Sequence, residues 1–316
     1  MKNIVGLVLE VLSITVPIFV VILIGFFLRR KKIIGDTAVS GLNRLAYNVG
    51  LPALIIISII KYNLSEIFNF RIIVTIYSAY FAFLLVIMAV ASFIKAPRKT
   101  KGALMVSSYR CNMAFIGFPI IISAYGNLAL AKASLIVVFL TPINIITSVL
   151  IFKLFNRGEE RIKVKKLIVD LLLDPLILSA AAGILISSIG INIPAPVNSV
   201  LDILSSMSIG IALLAIGASF RFFHIKSNIR ALAFVSLAKL IIMPAIALFF
   251  AMVVFKLAPV DRNIIVVQFS MPLAVIAYVM AKQYHSDYDM VSSSLIITTI
   301  LSSVTISGWL LLLKLF

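Results

Sequence analysis

A chain of 316 residues that is 62% hydrophobic, with a mean hydropathy of +1.19, has more apolar side chains than a soluble core can hide, since soluble domains run at about 45–50%. A net charge of +17 would suit a nucleic-acid partner, but the basic residues cluster in short loops between apolar runs, which is the pattern of a membrane protein and excludes that partner. The single cysteine, Cys111, excludes an internal disulfide and any cysteine-based metal cluster.

Ten apolar spans are predicted in chain order, at 4–28, 37–60, 70–94, 102–125, 128–154, 168–190, 197–220, 228–255, 262–282 and 288–314. The first begins like a secretory leader, with Lys2 before an apolar run, but continues to Leu28 without a small-residue cleavage site and reads as a retained span. Loops after odd-numbered spans hold most of the Lys and Arg, such as Arg29, Arg30, Lys31 and Lys32, then Lys95, Arg98, Lys99 and Lys101, and later Arg157 to Lys166. That side is expected to be cytoplasmic, which puts both termini on the extracytoplasmic side of a plasma-membrane protein.

Two spans are interrupted alike. The fourth reads RCNMAFIGFPIIISAY over 110–125 and the ninth reads QFSMPLAVIAY over 268–278; both contain Pro-x4-Ala-Tyr. Proline lacks a donor and clashes with the carbonyl four residues back, so Pro119 and Pro272 are expected to open their helices. Pro17 with Gly25 and Pro175 with Gly183 share one spacing, and Ser134-Leu-Ile and Ser294-Leu-Ile open similar stretches. Each pair is separated by roughly half the chain. Since five spans is an odd number, the halves run in opposite directions. The domain reading is therefore a first repeat at 1–155, a cytoplasmic linker at 156–166 and an inverted second repeat at 167–316, in an all-α membrane fold with broken crossing helices 4 and 9.

Candidate site residues follow from these breaks. Asn112, with Gly117 beside the break at Pro119, offers two donors and one acceptor at membrane depth, and broken-helix N-termini add a positive dipole end that suits a carboxylate. Packing glue between helices is the competing role for Asn112. Arg110 either attracts the anion or snorkels to the cytoplasmic end. Lys239, five residues before Pro244, lies too deep to snorkel easily and reads as a charge-compensating or conformational residue. Arg44 lies nearer the cytoplasmic end, where snorkelling is expected. Gln268 and Ser270 before Pro272 mirror the approach to Pro119, while Asn48 with Pro52, Ser205 to Gly210, and Asn144 beside Thr141 and Pro142 flank the crossing or simply pack.

No acid lies near the middle of a span, which argues against a carboxylate proton relay; Glu10, Asp174 and Asp202 lie near span ends. There is no His-x3-His pair, no Gly-x-Ser-x-Gly and no phosphate-binding Gly-Lys-Ser/Thr loop, so no enzyme and no cofactor is expected.

The segments LNRLAYNVGLPAL (42–54), RCNMAFIGFP (110–119), Lys239 with Pro244, and MPLAVIAYVMA (271–281) make the chain resemble the auxin efflux carrier family, including its bacterial malate- and malonate-permease-like members. The likeness runs over essentially the full length. Ile211 departs from it, standing where many members have proline. The resemblance implies ten helices in two inverted five-helix repeats, helices 4 and 9 crossing at their prolines, one helix group as scaffold and another as transporter, and organic anions as substrates with Asn112 contacting the carboxylate. The expected function is secondary transport of small organic anions by alternating access, auxin-like or malate/malonate-like. A sodium-coupled symporter and a non-transporting anion sensor are the alternatives. Homodimerisation and coupling to Na⁺ or H⁺ stay open.

Overall fold

The computed structural model describes residues 4–156, 164–191, 193–220 and 229–315. Most of the linker expected at 156–166 lies outside them, as do Arg221, His224 and Lys226 of a second basic loop. Among the described residues the protein is all-helical, without strands. Seven helical stretches among the described residues are long and apolar enough to cross a membrane.

Helix α1 spans Ile4–Arg30, long enough at 1.5 Å per residue to cross a bilayer. The next crossing combines α2 (Asp36–Leu45), a π-turn (Ala46–Gly50) and α3 (Leu51–Ile60). After the short α4 (Leu64–Ile67) comes α5 (Phe70–Phe93), capped where the Arg71 N–H donates to the Asn69 side chain. Then follow α6 (Arg98–Tyr109), a π-turn (Met113–Gly117) and α7 (Phe118–Phe155). α7 is kinked at Gly126, whose φ of 81° few other residues adopt, so it covers the end of the predicted fourth span and the whole of the fifth.

The second half contains α8 (Val164–Leu172), α9 (Pro175–Ile189) and α10 (Ala195–Ala218). α11 (Ile229–Leu237) runs through a π-turn (Ala238–Ile242) into α12 (Met243–Phe249) and a further π-turn (Phe250–Val254). α13 (Pro259–Phe269), α14 (Ile276–Gln283) and α15 (Tyr288–Leu315) complete the chain.

The prolines behave differently from the expectation. Pro52, Pro119 and Pro244 each sit at the second position of a helix that follows a π-turn. The wider turn takes up the clash and the lost donor without opening the helix. One carbonyl so freed, that of Leu240, accepts the Trp309 indole N–H at 2.8 Å. The chain leaves helical geometry earlier than Pro119, at 110–112, and at 270–275 around Pro272 itself.

The interior is a large apolar cluster, and the exterior is apolar as well. Phe93, Leu85 and Val304 are 84%, 67% and 74% exposed, whereas Lys239, Gln268 and Ser270 are wholly buried. Such a continuous apolar exterior around polar buried groups suits lipid. One helix group packs α1 on α10 and α3 on α9 and α10. A Cβ on Gly217 would overlap the Ile22 carbonyl, and one on Gly25 would overlap that of Leu214, so α1 and α10 approach at backbone distance. Ser208, in the small-residue run 205–210, packs against Gly50. A second group packs α6 and α13 on α7, α12 on α5, and α15 on α6.

Candidate functional site

The two non-helical segments meet side by side. The Asn112 N–H donates to the Pro272 carbonyl at 2.8 Å, and the Ala274 N–H donates to the Arg110 carbonyl at 3.1 Å. Cys111 and Leu273 face each other in an isolated antiparallel bridge, and the Leu273 N–H donates to Thr298 Oγ1 at 3.2 Å. Each segment thus satisfies main-chain groups that leaving the helix exposes, which a water-poor interior requires.

Side chains at this junction are buried and only partly satisfied. Arg110 is 7% exposed and Asn112 is 6% exposed; Arg110 Nη1 and Asn112 Nδ2 have no hydrogen-bond partner. The Asn112 main-chain carbonyl, by contrast, accepts the Gly117 N–H at 3.2 Å. Gln268 lies against Gly117: a Cβ there would stand 2.7 Å from Gln268 Oε1. Neither polar atom of the Gln268 amide has a partner. Unsatisfied buried polar groups are costly, about 1–3 kcal/mol each, so a cluster of donors here is what a polar ligand would complete. Ser270 is spent locally, its hydroxyl donating to the Val267 carbonyl at 2.8 Å.

Lys239 reaches the same junction from its π-turn. Its Nζ donates to the Tyr109 carbonyl at 3.1 Å and contacts Cys111 Sγ and Met243 Sδ. It caps the carbonyl end of α6, where a cation is electrostatically favoured. Asn144 lies in α7; its main-chain carbonyl accepts Ser148 Oγ at 2.6 Å, the Ser148 hydroxyl is 2.8 Å from that of Tyr109, and the Asn144 Oδ1 has no partner.

A cavity of about 490 Å³ opens beside the junction. Phe115 and Val275, from the segments flanking the two interruptions, form part of its wall together with Tyr47, Ile276, Tyr278 and Leu295. Arg110 and Asn112 are not part of that wall. Asn48 is, although its amide donates to the Arg44 carbonyl at 2.9 Å. Arg44 lines the cavity too, and among the described residues no carboxylate pairs with it. Asp36, also in the wall, is held by Arg29. Tyr47 is positioned by its hydroxyl, which donates to Asp174 Oδ2 at 2.7 Å, and by the Phe115 ring, whose centroid is 6.5 Å away. Asp174 in turn accepts the Leu176 N–H and caps α9.

The structure therefore brings Arg110, Asn112, Gly117, Gln268, Pro272 and Lys239 together, leaves Asn48 in the cavity wall, places Pro119 just inside α7, and links Asn144 to Tyr109 through Ser148. Sequence reasoning missed Tyr47, Phe115 and Tyr278 as wall residues. Tyr278 was legible in the repeated Pro-x4-Ala-Tyr motif; Tyr47 and Phe115 carry no signal that distinguishes them from core aromatics.

Comparison with known proteins agrees with this architecture. The family model described as "Membrane transport protein" matches residues 11–310. An uncharacterised transporter of Methanocaldococcus jannaschii is 24% identical, covering 95% of this chain and 99% of its own length. One from Methanothermobacter thermautotrophicus is 25% identical over 92% and 95%. A Rhizobium meliloti protein provisionally named a malonate transporter is 22% identical over 96% of each chain. All three are named as transporters rather than enzymes. The multi-pass apolar helices and this nearly full-length match lead to one conclusion: the chain belongs to the membrane transport protein family, the auxin efflux carrier group that its motif segments resemble.

Proposed function

We propose that the protein is a secondary carrier of small organic carboxylates working by alternating access, with the anion bound where helices 4 and 9 of a ten-span inverted repeat cross. The carrying observation is the pairing of 110–112 with 272–274, beside which Arg110 Nη1 and Asn112 Nδ2 stand buried without partners. Two donors, one of them charged, match a carboxylate. Gly117 leaves space for Gln268 to approach, and Lys239 holds the end of α6. The ten-span reading draws support from the kink at Gly126 and from α13 and α14 as halves of one crossing. The repeats are 1–155 and 167–316, and the α1, α3, α9 and α10 group is the scaffold against which the other group moves.

The cavity wall includes Asp36 and Val39, close in the chain to Arg29 to Lys32, and Val279, close to Lys282, the side that the positive-inside rule makes cytoplasmic. This supports the reading of an inward-open state. Its wall is largely apolar, with Arg44 its one unpaired cation, which favours a monocarboxylate with an apolar body over a dicarboxylate. The relative named for malonate transport supports the dicarboxylate reading.

Asn112→Ala is expected to weaken carboxylate binding to purified protein about tenfold or more while leaving abundance near the parent's, since a hydrogen bond to a charged group is worth about 1.5–3 kcal/mol. Equal affinity in mutant and parent removes Asn112 from the site. Flux of labelled mono- and dicarboxylates in proteoliposomes, with Na⁺ exchanged for K⁺, identifies the cargo class and separates a sodium-coupled symporter from an uncoupled carrier. Binding without flux selects the sensor.

A further inference from the structure

We propose that Arg262, Tyr125 and Asn263 form a second anion-binding station, at the far end of the helix 9 crossing from the cavity. α13 begins that crossing at Pro259, and Asp261, Arg262 and Asn263 in its first turn are 5%, 6% and 8% exposed. The carboxylate of Asp261 is already committed: Lys132 Nζ lies 2.6 Å from Oδ1 and Asn69 Nδ2 donates to Oδ2 at 3.2 Å. It neutralises Lys132, and among the described residues no carboxylate pairs with Arg262.

The Arg262 guanidinium makes one bond, Nε to Asn263 Oδ1 at 3.2 Å, and its Nη2 is buried without a partner. The Tyr125 hydroxyl is buried and unpartnered as well. It lies near the Asn263 side chain and within the field of Arg262. The first turn of α13 adds the positive end of a helix dipole. The unmet groups are a guanidinium, which can only donate, and a hydroxyl free to donate. A buried guanidinium with one N–H group unmet and its neighbouring carboxylate committed elsewhere is completed by an acceptor with negative charge. The ligand class is a small anion, a carboxylate or a halide.

The repeated motif gives the station its place in transport, an argument that rests on the inverted-repeat reading. Tyr278 of the second Pro-x4-Ala-Tyr lines the cavity, and Tyr125 is the same position in the first. Inverted halves put Tyr125 where the opposite face opens in the other state. The station then receives the anion leaving the crossing on that side.

The test is titration calorimetry of purified full-length protein with sodium acetate, and in parallel sodium bromide, in HEPES–N-methylglucamine buffer. Two classes of acetate site are expected in the parent. Arg262→Gln should weaken one class at least about tenfold, the scale of a charged hydrogen bond, with Arg262→Lys in between. Asn112→Ala should affect only the other class. If Arg262→Gln fails to fold, Tyr125→Phe should weaken the same class severalfold. Retention of both classes at parental affinity, in a folded Arg262→Gln or in Tyr125→Phe, overturns the station. Loss on Arg262→Gln with no change on Asn112→Ala upholds it and rejects the crossing site instead. Equal binding of bromide supports an inorganic-anion station; preference for acetate supports a station for carboxylate cargo.

Discussion

At the scale of single residues, the junction is held by polar groups with no soluble-protein equivalent, because lipid offers no water to a stray donor. Gln268 and Gly117 are the sharpest case. The amide end of Gln268 occupies the space that a side chain at 117 would need, so Gly117→Ala makes that amide shift. Because the atom that yields is the end of a flexible side chain, the cost falls at the low end of the about 1–3 kcal/mol typical of overpacking. Lower thermal stability and flux are expected for Gly117→Ala, with substantial recovery in the Gly117→Ala/Gln268→Ala double variant. Unchanged defects in the double variant would show that Gln268 is not the obstacle. The residue types at 112, 117, 239 and 268 were readable as unusual in the sequence. That Lys239 caps the Tyr109 carbonyl was not, since the two are far apart in the chain and only folding sets them at 3.1 Å.

At the scale of elements, proline placement in the sequence marked regions of departure but not their form. Pro244 follows a π-turn and frees the Leu240 carbonyl for Trp309. Trp309→Phe keeps most of the ring packing and strands that carbonyl, at a cost of about 1–3 kcal/mol. Pro244→Ala restores a donor within the helix, so the same Trp309 change should cost less in that background. A double-mutant cycle on thermal unfolding measures the coupling; strictly additive effects would count against it. The same reasoning explains why Pro119 lies inside α7: the preceding π-turn accommodates it, and the chain opens at 110–112, where Pro272 and Ala274 supply partners. Pairing across 160 residues of chain has no local signal.

At the scale of the whole molecule, the two helix groups touch where α1, α3 and α9 meet α7 and along a seam between α1 and α15, where Lys314 Nζ lies 2.6 Å from Glu10 Oε1 and Thr15 and Ser307 hydroxyls are 3.0 Å apart. If one group slides on the other during transport, this seam must part. A disulfide between Glu10→Cys and Lys314→Cys is expected to abolish most flux on oxidation and to restore it on reduction, with each single variant unaffected by either treatment. Full flux in the cross-linked protein would mean that the seam stays closed throughout the cycle. Sequence by itself determined that this is a multi-pass helical membrane protein with paired interruptions, because lipid imposes runs of apolar residues and the cost of breaking them is visible one residue at a time. Only the tertiary structure decided which main-chain groups answer one another at the junction, which aromatic side chains wall the cavity, and which buried charges are left without an opposite. Those outcomes depend on distances between segments remote in the chain, and apolar periodicity carries no information about them.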